Sequence, residues 1–207
     1  KFNCSIFEYQ SSRETMIKIL FLHGGGDDGY EADLKMATSL KEALGSNFDI
    51  SYPRIKSNES TPDFGWPQEI HNHIAQCGNK VFIVAHSLGA SMLLKCLSEL
   101  SPLTTIKGLF LLATPFWSGP EEWKQGLILN DNFTGLLPKN LPIFFYHCKD
   151  DNEVPISHLS IYRQKIAKAS FRELQNGGHQ FDADFTPIIN DIKTTADENQ
   201  SINNAEN

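Results

Sequence analysis

The sequence predicts an α/β fold, a three-layer sandwich with about six mostly parallel strands and helices on both faces. Two observations support this fold class. Runs such as KVFIVAH at 80–86 are apolar along nearly their whole length, as strands buried on both faces are. These runs alternate along the chain with segments whose apolar residues recur at helical spacing. The length of 207 residues suits one domain of this kind.

The first, third, fourth and fifth predicted strands are apolar runs, and the second and last are shorter and more polar. The predicted strands are 16–23, 48–53, 80–86, 106–113, 141–148 and 170–175. Helices are predicted between and after them, at 33–44, 66–77, 88–100, 155–169 and 181–192. In the first helix, one face carries apolar residues that we expect to be buried: Leu34, Ala37, Leu40 and Leu44.

We expect a single domain over residues 16–193. Residues 1–15 would form an N-terminal extension, either native or left by cloning. Residues 194–207 are mostly polar, which predicts a disordered tail. The segment 114–140 has no clear period and is predicted to be a small irregular insertion between the fourth and fifth strands.

Composition argues against several partners and locations. The net charge is −7, so the surface repels phosphate backbones and no nucleic-acid partner is expected. No apolar run approaches the roughly 20 residues of a membrane helix, so no membrane span is expected. Cys4, Cys77, Cys96 and Cys148 form no C-x-x-C pair, which predicts single thiols in a reducing compartment, the cytoplasm. The sequence leaves the oligomeric state open.

A glycine-rich stretch after the first predicted strand has two interpretations. Gly24, Gly26 and Gly29 satisfy G-x-G-x-x-G, the fingerprint of a dinucleotide-binding loop. That fingerprint is followed by an acidic residue about twenty positions on, where Asp49 lies. The second interpretation begins at His23, because His-Gly-Gly-Gly after a buried strand also helps to build oxyanion holes.

Charge in the same stretch disfavours a dinucleotide. Asp27 and Asp28 would lie against the pyrophosphate, where negative charge is unfavourable. The stretch alone does not decide between the two interpretations, and the decision depends on residues further along the chain.

The third predicted strand ends in Ala85-His86-Ser87-Leu88-Gly89, and a helix follows. Strand, tight turn and helix form the context of a nucleophile elbow, G-x-S-x-G, in which bulk is restricted on both sides of the serine. Gly89 fits this pattern, and Ala85 departs from it by one methyl group. A serine at this position also suits a helix N-cap.

Two further loops carry residues that complete a catalytic set. Asp150 and Asp151 follow the fifth predicted strand, where a carboxylate can serve as a catalytic acid, although an N-cap or turn acid is the alternative. His179 follows the sixth strand in GGHQF, where the glycines let the loop curl over the sheet; otherwise it is a solvated histidine. The order Ser87, Asp151, His179 is that of Ser-Asp-His hydrolases, and each residue follows a strand end.

These motifs resemble the α/β-hydrolase fold family, and most closely its compact single-domain serine hydrolases of the retinoblastoma-binding-protein-9 type. AHSLGA, DDNEVP and GGHQF carry the resemblance, which covers residues 16–193. The family pattern D-x-x-V-P implies that Asp151, and not Asp150, is the catalytic acid. Together they are specific for the fold and for the Ser-His-Asp triad, and weak for the substrate.

The expected activity is hydrolysis of carboxylic esters or related acyl compounds, through an acyl-enzyme on Ser87. His179 would act as base and Asp151 would orient it. A backbone N–H of Gly24 or Gly25, together with that of Leu88, would hold the oxyanion. No metal or organic cofactor is expected, and the partner would be a small-molecule acyl substrate. A catalytically idle binding module on the same scaffold is the rival class.

For the remaining histidines and aromatic residues, the sequence supports less specific predictions. His23 and His86 are expected to be structural. His71 and His73 are two residues apart on a helix and face apart, so no metal site is predicted. The insertion contributes aromatic residues that either line an acyl pocket or cover the sheet edge as core: Phe116, Trp117 and Trp123.

Overall fold

A computed structural model describes residues 16–100, 105–182 and 185–205. Its centre is one six-stranded sheet in the order β2-β1-β3-β4-β5-β6, in which every adjacent pair is parallel. The strands are β1 (Ile17–Leu22), β2 (Phe48–Ser51), β3 (Lys80–His86), β4 (Thr105–Leu112), β5 (Ile143–Cys148) and β6 (Ser170–Leu174). The predicted fold class and the parallel sheet are therefore confirmed.

Helices pack on both faces of the sheet. In the described ranges they are α1 (Gly29–Leu44), α2 (Trp66–Gln76), α3 (Ser87–Glu99), α4 (Phe133–Leu136), α5 (Ser157–Lys165) and α6 (Thr186–Ala205), with a 3-10 helix at Glu122–Leu127. None of these helices is long and apolar enough to cross a membrane.

Side chains alternate along each central strand and build two hydrophobic cores. In β3, Ile83 and Ala85 face the core that also contains α2, α3 and α5. Phe82 and Val84 point to the opposite face and pack with α1 and α6. Both faces of the strand are thus removed from water, which explains why the run is apolar throughout.

Strand order reverses between β1 and β3, which lie side by side at the centre of the sheet. The loop after β1 and the loop after β3 consequently emerge next to each other at the carboxyl edge. Open parallel sheets bind ligands at such a switch point. The same edge carries the loops that follow β4, β5 and β6, because all strands run in one direction.

Helix α1 differs from the prediction at its start and on its buried face. It begins at Gly29, before the predicted residue 33, and Leu34 is 49% exposed. Asp33 and Met36 are buried in its place, with Ala37, Leu40 and Leu44 as predicted. Leu34 was predicted to be buried because it is apolar. Asp33 is buried instead, because its carboxylate accepts hydrogen bonds from groups in the interior.

Helix α6 replaces the disordered tail predicted from Thr194. It continues to Ala205, and Ile188, Ile192 and Ala196 pack at intervals of one turn against the sheet. The polar composition of this stretch reflects a helix that buries one narrow stripe. Residues 1–15, predicted as an N-terminal extension, lie outside the described residues. The insertion at 114–140 contains the 3-10 helix and α4.

The burial of Ala196 allows a test of whether the second half of α6 packs on the sheet. Ala196 is 2% exposed, so Ala196→Asp buries an unpaired carboxylate and should lower the free energy of unfolding by about 2 kcal/mol or more. Thr194→Asp introduces the same carboxylate at an exposed position of the same helix and is the control. Urea denaturation of both variants measures the difference. Equal midpoints for the two variants would mean that this stretch does not pack on the sheet.

Candidate active site

Ser87 occupies a strained turn between β3 and α3. Its φ is 49°, a left-handed conformation that non-glycine residues rarely adopt. The turn brings α3 so close to β1 that a Cβ added at Gly89 would lie 2.3 Å from the carbonyl oxygen of His23. Glycine is therefore required at that position, whereas Ala85 is accommodated with its methyl group in the core.

A chain of hydrogen bonds joins the three residues predicted from the sequence. His179 Nε2 lies 3.1 Å from Ser87 Oγ, and His179 Nδ1 lies 2.9 Å from Asp151 Oδ2. Asp151 and His179 are each 9% exposed, so this chain is largely shielded from water. With a proton on Nδ1, His179 donates to Asp151 and accepts the serine proton at Nε2.

The two adjacent carboxylates after β5 have separate partners. Asp151 Oδ1 accepts from the backbone N–H groups of Glu153 and Val154, each at 2.9 Å, which leaves Oδ2 for His179. Asp150 instead accepts from Gly178 at 2.9 Å and Gly177 at 3.2 Å. Asp150 thus fastens the loop that carries His179, while Asp151 contacts its ring.

Glycines give the histidine loop its shape. Gly177 and Gly178 have φ values of 134° and 60°. A Cβ added at Gly177 would lie 3.0 Å from the Cys148 sulfur, so the loop also packs closely on the end of β5. Both observations agree with the predicted curl that brings His179 back over the sheet.

The glycine loop after β1 has only one of its two alternative predicted donors, Gly24 and Gly25, available. The N–H of Gly24 donates to Asp33 Oδ2 at 2.7 Å, so Gly24 is not available as an oxyanion donor. Gly25 packs against Leu88, since a Cβ there would come 2.6 Å from Leu88 Cδ2. The N–H of Gly25 has no partner among the described residues, and Leu88 is in the first turn of α3, where N–H groups lack partners within the helix.

His23 and His86 lie inside the site but outside the serine–histidine–aspartate chain. His23 donates from Nδ1 to the Gly24 carbonyl at 2.6 Å and accepts the Ile55 N–H at Nε2, at 2.9 Å. This pattern requires a neutral ring, and burial lowers the pKa of His23 accordingly. His86 bonds Asp33 through Nδ1 at 2.7 Å and the carbonyl of His179 through Nε2 at 2.9 Å.

Asp33 is the residue of this site that sequence reasoning missed. It lies among apolar residues on α1, one residue before the leucine that periodicity placed inside. The available signal is an acidic residue at the helical spacing of Ala37 and Leu40, four and seven positions later.

Aromatic residues of the insertion contact other elements of the domain. Trp117 Nε1 donates to Ser91 Oγ at 3.0 Å, one turn of α3 beyond Ser87, and Trp123 packs edge-on against Trp117. Trp123 is 56% exposed. The Phe116 ring packs edge-on against Tyr162, and its N–H donates to the ring of His158 at 2.9 Å. These contacts anchor the insertion on α3 and α5.

The surroundings of His179 control its protonation. Burial alone would lower the pKa of His179, but the hydrogen bond and charge of Asp151 raise it above 6.5, assisted by Glu153 and Asp33. Glu153 is an exposed carboxylate whose Oε2 lies 3.6 Å from His179 Nε2. Burial likewise opposes ionisation of Asp151, yet His179 and the two N–H groups hold its pKa below 3.8.

Possible metal ligands do not cluster in the described part of the chain, where no group of three or more His, Cys, Asp or Glu side chains could hold an ion.

The sequence matches the profile of one protein family over most of its length. The profile of the family described as serine hydrolase matches residues 39–189, most of the chain and all of the strand-end loops except the glycine loop. The chain belongs to the serine hydrolase family. No curated protein gives a significant match.

Solved structures show the same fold at low identity. The ydeN gene product from B. subtilis is 22% identical with a TM-score of 0.55, over 87% of this chain and 98% of that one. A lipase-esterase related protein from Clostridium acetobutylicum is 14% identical with a TM-score of 0.61, over 88% and 96%. The 2-hydroxy-6-oxo-6-phenylhexa-2,4-dienoate hydrolase from Rhodococcus sp. strain RHA1 is 13% identical with a TM-score of 0.64, over 86% and 89%. The fold is therefore that of the α/β-hydrolases.

Titration of His179 tests the electrostatics of this serine hydrolase. We expect an NMR pKa above 6.5 in the unmodified protein, since Asp151 and Glu153 stabilise the imidazolium. Glu153→Gln should lower it modestly, because the exposed carboxylate is screened by water. Asp151→Asn should lower it much further, since burial then acts with little opposition. A pKa that is unchanged in Asp151→Asn would contradict the contact between Asp151 and His179.

Proposed function

We propose that the protein is a cofactor-free serine hydrolase that cleaves carboxylic esters or related acyl compounds with Ser87, His179 and Asp151. The hydrogen-bonded chain from Ser87 Oγ through His179 to Asp151 Oδ2 is the observation that carries this proposal. The positive φ of Ser87 also supports the proposal, because strained backbone of this kind clusters at functional sites.

In the proposed mechanism, His179 Nε2 accepts the hydroxyl proton as Ser87 Oγ attacks the carbonyl carbon of the substrate. Asp151 holds the ring in the tautomer with its proton on Nδ1 and stabilises the imidazolium that forms. His179 then protonates the leaving group, and water releases the acyl group from Ser87 by the reverse sequence. Hydrolysis should fall as the pH drops through the pKa of His179, since the base must be neutral.

The oxyanion of the tetrahedral intermediate would be held by the N–H groups of Gly25 and Leu88. Their support is the close packing of Gly25 on Leu88, which places the two backbone segments side by side. A donor of this kind contributes about 3–4 kcal/mol to transition-state stabilisation in measured cases. Because the N–H of Gly24 is hydrogen-bonded to Asp33, Gly25 is the residue of this loop that is proposed to donate to the oxyanion.

Apolar acyl groups are the proposed substrates, and Phe116, Trp117 and Trp123 are proposed to lie along their path. The bond from Trp117 to Ser91 supports this, since Ser91 is one helical turn from Ser87. Structural neighbours include a lipase-esterase related protein and a dienoate hydrolase, so preference for esters rests on the site of this chain. Free thiols at Cys77, Cys96 and Cys148 agree with the proposed reducing, cytoplasmic location.

Labelling with a fluorophosphonate tests the enzyme proposal directly. The unmodified protein should be labelled and should hydrolyse p-nitrophenyl esters, and Ser87→Ala should lose both properties while its melting temperature stays close to that of the unmodified protein. Ser91→Ala removes a hydroxyl from the same helix and is the matched control, which should still be labelled. Absence of labelling in well-folded protein would favour a catalytically idle binding module.

The adjacent aspartates should differ in their effect on turnover. Asp151→Asn can place the proton of His179 on the wrong nitrogen, which costs about 10⁴ in kcat in a well-studied triad. Asp150→Asn keeps one carbonyl acceptor for the glycine N–H groups and should cost about tenfold or less. Steady-state kinetics of the two isosteric variants measure the difference. If Asp150→Asn were the more damaging change, Asp151 would not be the catalytic acid.

Acyl-chain selectivity tests the insertion. Trp117→Ala should change the ratio of hydrolysis rates for octanoate and acetate p-nitrophenyl esters by about 10- to 200-fold, because an apolar pocket contact contributes about 1–3 kcal/mol. Trp123→Ala should have a smaller effect since half of that ring is exposed. Phe171→Leu, at a partly buried position of β6 outside the insertion, is the control. An unchanged ratio in both tryptophan variants would remove them from the pocket.

A further inference from the structure

A second aspartate–histidine pair lies directly beside the proposed triad. Asp33 on α1 and His86 at the end of β3 are each 1% exposed, and Asp33 Oδ2 lies 2.7 Å from His86 Nδ1. The ring centres of His86 and His179 are 4.6 Å apart. This pair contacts neither Ser87 Oγ nor the ring nitrogens of His179, so it takes no part in the proton transfers of the proposed reaction.

The carbonyl of His179 fixes one proton of this pair, and Asp33 faces the other side of the ring. His86 Nε2 faces the carbonyl oxygen of His179 at 2.9 Å, and a carbonyl only accepts, so Nε2 carries a proton. On the other side of the ring, Asp33 Oδ2 faces His86 Nδ1 and also accepts the N–H of Gly24 at 2.7 Å. A single buried oxygen therefore receives hydrogen bonds from two different loops.

Three loops meet through these contacts. Gly24 belongs to the loop after β1, His86 immediately precedes Ser87 at the end of β3, and the carbonyl belongs to His179 after β6. The sheet places β6 three strands away from β3, so sheet hydrogen bonds do not connect these two loops directly. The buried contact of His86 with the His179 carbonyl joins the loops after β3 and β6, and the contact of Asp33 with Gly24 adds the loop after β1.

We propose that Asp33 and His86 are positioning residues that hold the glycine loop and the backbone of His179 in register with Ser87. The inference rests on the proposed hydrolase function of the same site. Small displacements matter here, since about 1 Å of misplacement can cost on the order of a hundredfold in rate. Asp33 acts through Gly24 on the neighbouring Gly25 N–H, and His86 acts through the carbonyl of His179 on the position of its ring.

Substitutions at Asp33 remove its two contacts in steps. Asp33→Asn puts one amide atom at the Oδ2 position, where it either accepts from Gly24 or donates to a neutral His86 Nδ1, so one of the two contacts persists. Asp33→Ala removes both contacts. We expect Asp33→Ala to lower kcat about 10- to 100-fold with little change in KM, and Asp33→Asn to lower it less. Glu42→Ala, an exposed position on α1, is the control and should match the unmodified protein.

Proton NMR gives a readout that does not depend on activity. A proton shared between an imidazole nitrogen and a carboxylate resonates far downfield, so the protein should show one such signal for His179–Asp151 and another for His86–Asp33. The second signal should persist in Ser87→Ala and Asp151→Asn and disappear in His86→Asn and Asp33→Asn. Loss of both signals in Asp151→Asn alone would contradict an independent second pair.

The outcomes distinguish this inference from the function on which it rests. Catalysis that persists in Ser87→Ala would overturn the proposed function, while the second downfield signal would still report the pair. Equal kcat in folded Asp33→Ala and unmodified protein would overturn the positioning role. If Asp33→Ala does not fold, His86→Asn decides, since it keeps an amide near Asp33 but loses the contact with His179; unchanged kcat there would overturn the proposal.

Discussion

The close approach of α3 to the end of β1 is the constraint on which the site depends. Gly89 lies so near the carbonyl of His23 that no side chain fits between the helix and the strand. This contact fixes where α3 begins, and the beginning of α3 fixes both the turn at Ser87 and the N–H of Leu88. Gly25 then packs on Leu88, so the glycine loop is positioned by the same contact. A strained turn persists here because the surrounding packing determines it.

Parallel strands supply the remaining geometry. Asp151 and His179 are 28 residues apart in the chain, yet the pairing of β5 with β6 brings their loops side by side. Asp150 ties the loops together through the two glycines, and Asp151 contacts the ring. The acid loop thus contributes one carboxylate to the position of the histidine loop and the next to the histidine itself.

Sequence reasoning reached the residues whose positions follow from strand ends. Ser87 and Asp151 follow apolar runs and His179 follows the more polar last strand, and turn-forming residues beside the three limit where they can point. Contacts that depend on three-dimensional packing were not accessible in this way. Gly24 matched a donor motif, but its N–H is taken by Asp33, and nothing in the local pattern indicates that a helix carboxylate would point inward. Helical periodicity likewise predicted that Leu34 is buried, because it does not take account of the hydrogen bonds that hold Asp33 inside.

The C-terminal helix shows another limit of composition. A polar stretch with few aliphatic residues predicts disorder when its sequence is judged alone. Ala196 nevertheless packs on the sheet in line with Ile188 and Ile192. These two isoleucines, in the first half of the helix, make the apolar contacts that the polar stretch lacks. The structure of the last turns therefore depends on the register set by the residues before them.

The tryptophans give this protein a built-in optical reporter. Trp66 is 2% exposed and lies against His23, while Trp123 is 56% exposed and lies against Trp117. Trp117 is bonded to α3 one turn from Ser87, so its indole fluorescence should respond when the adjacent space is filled. Emission from buried and exposed indoles differs in wavelength, which separates a change near the site from unfolding of the domain. Ligand occupancy of the unmodified chain can thus be followed without an attached dye.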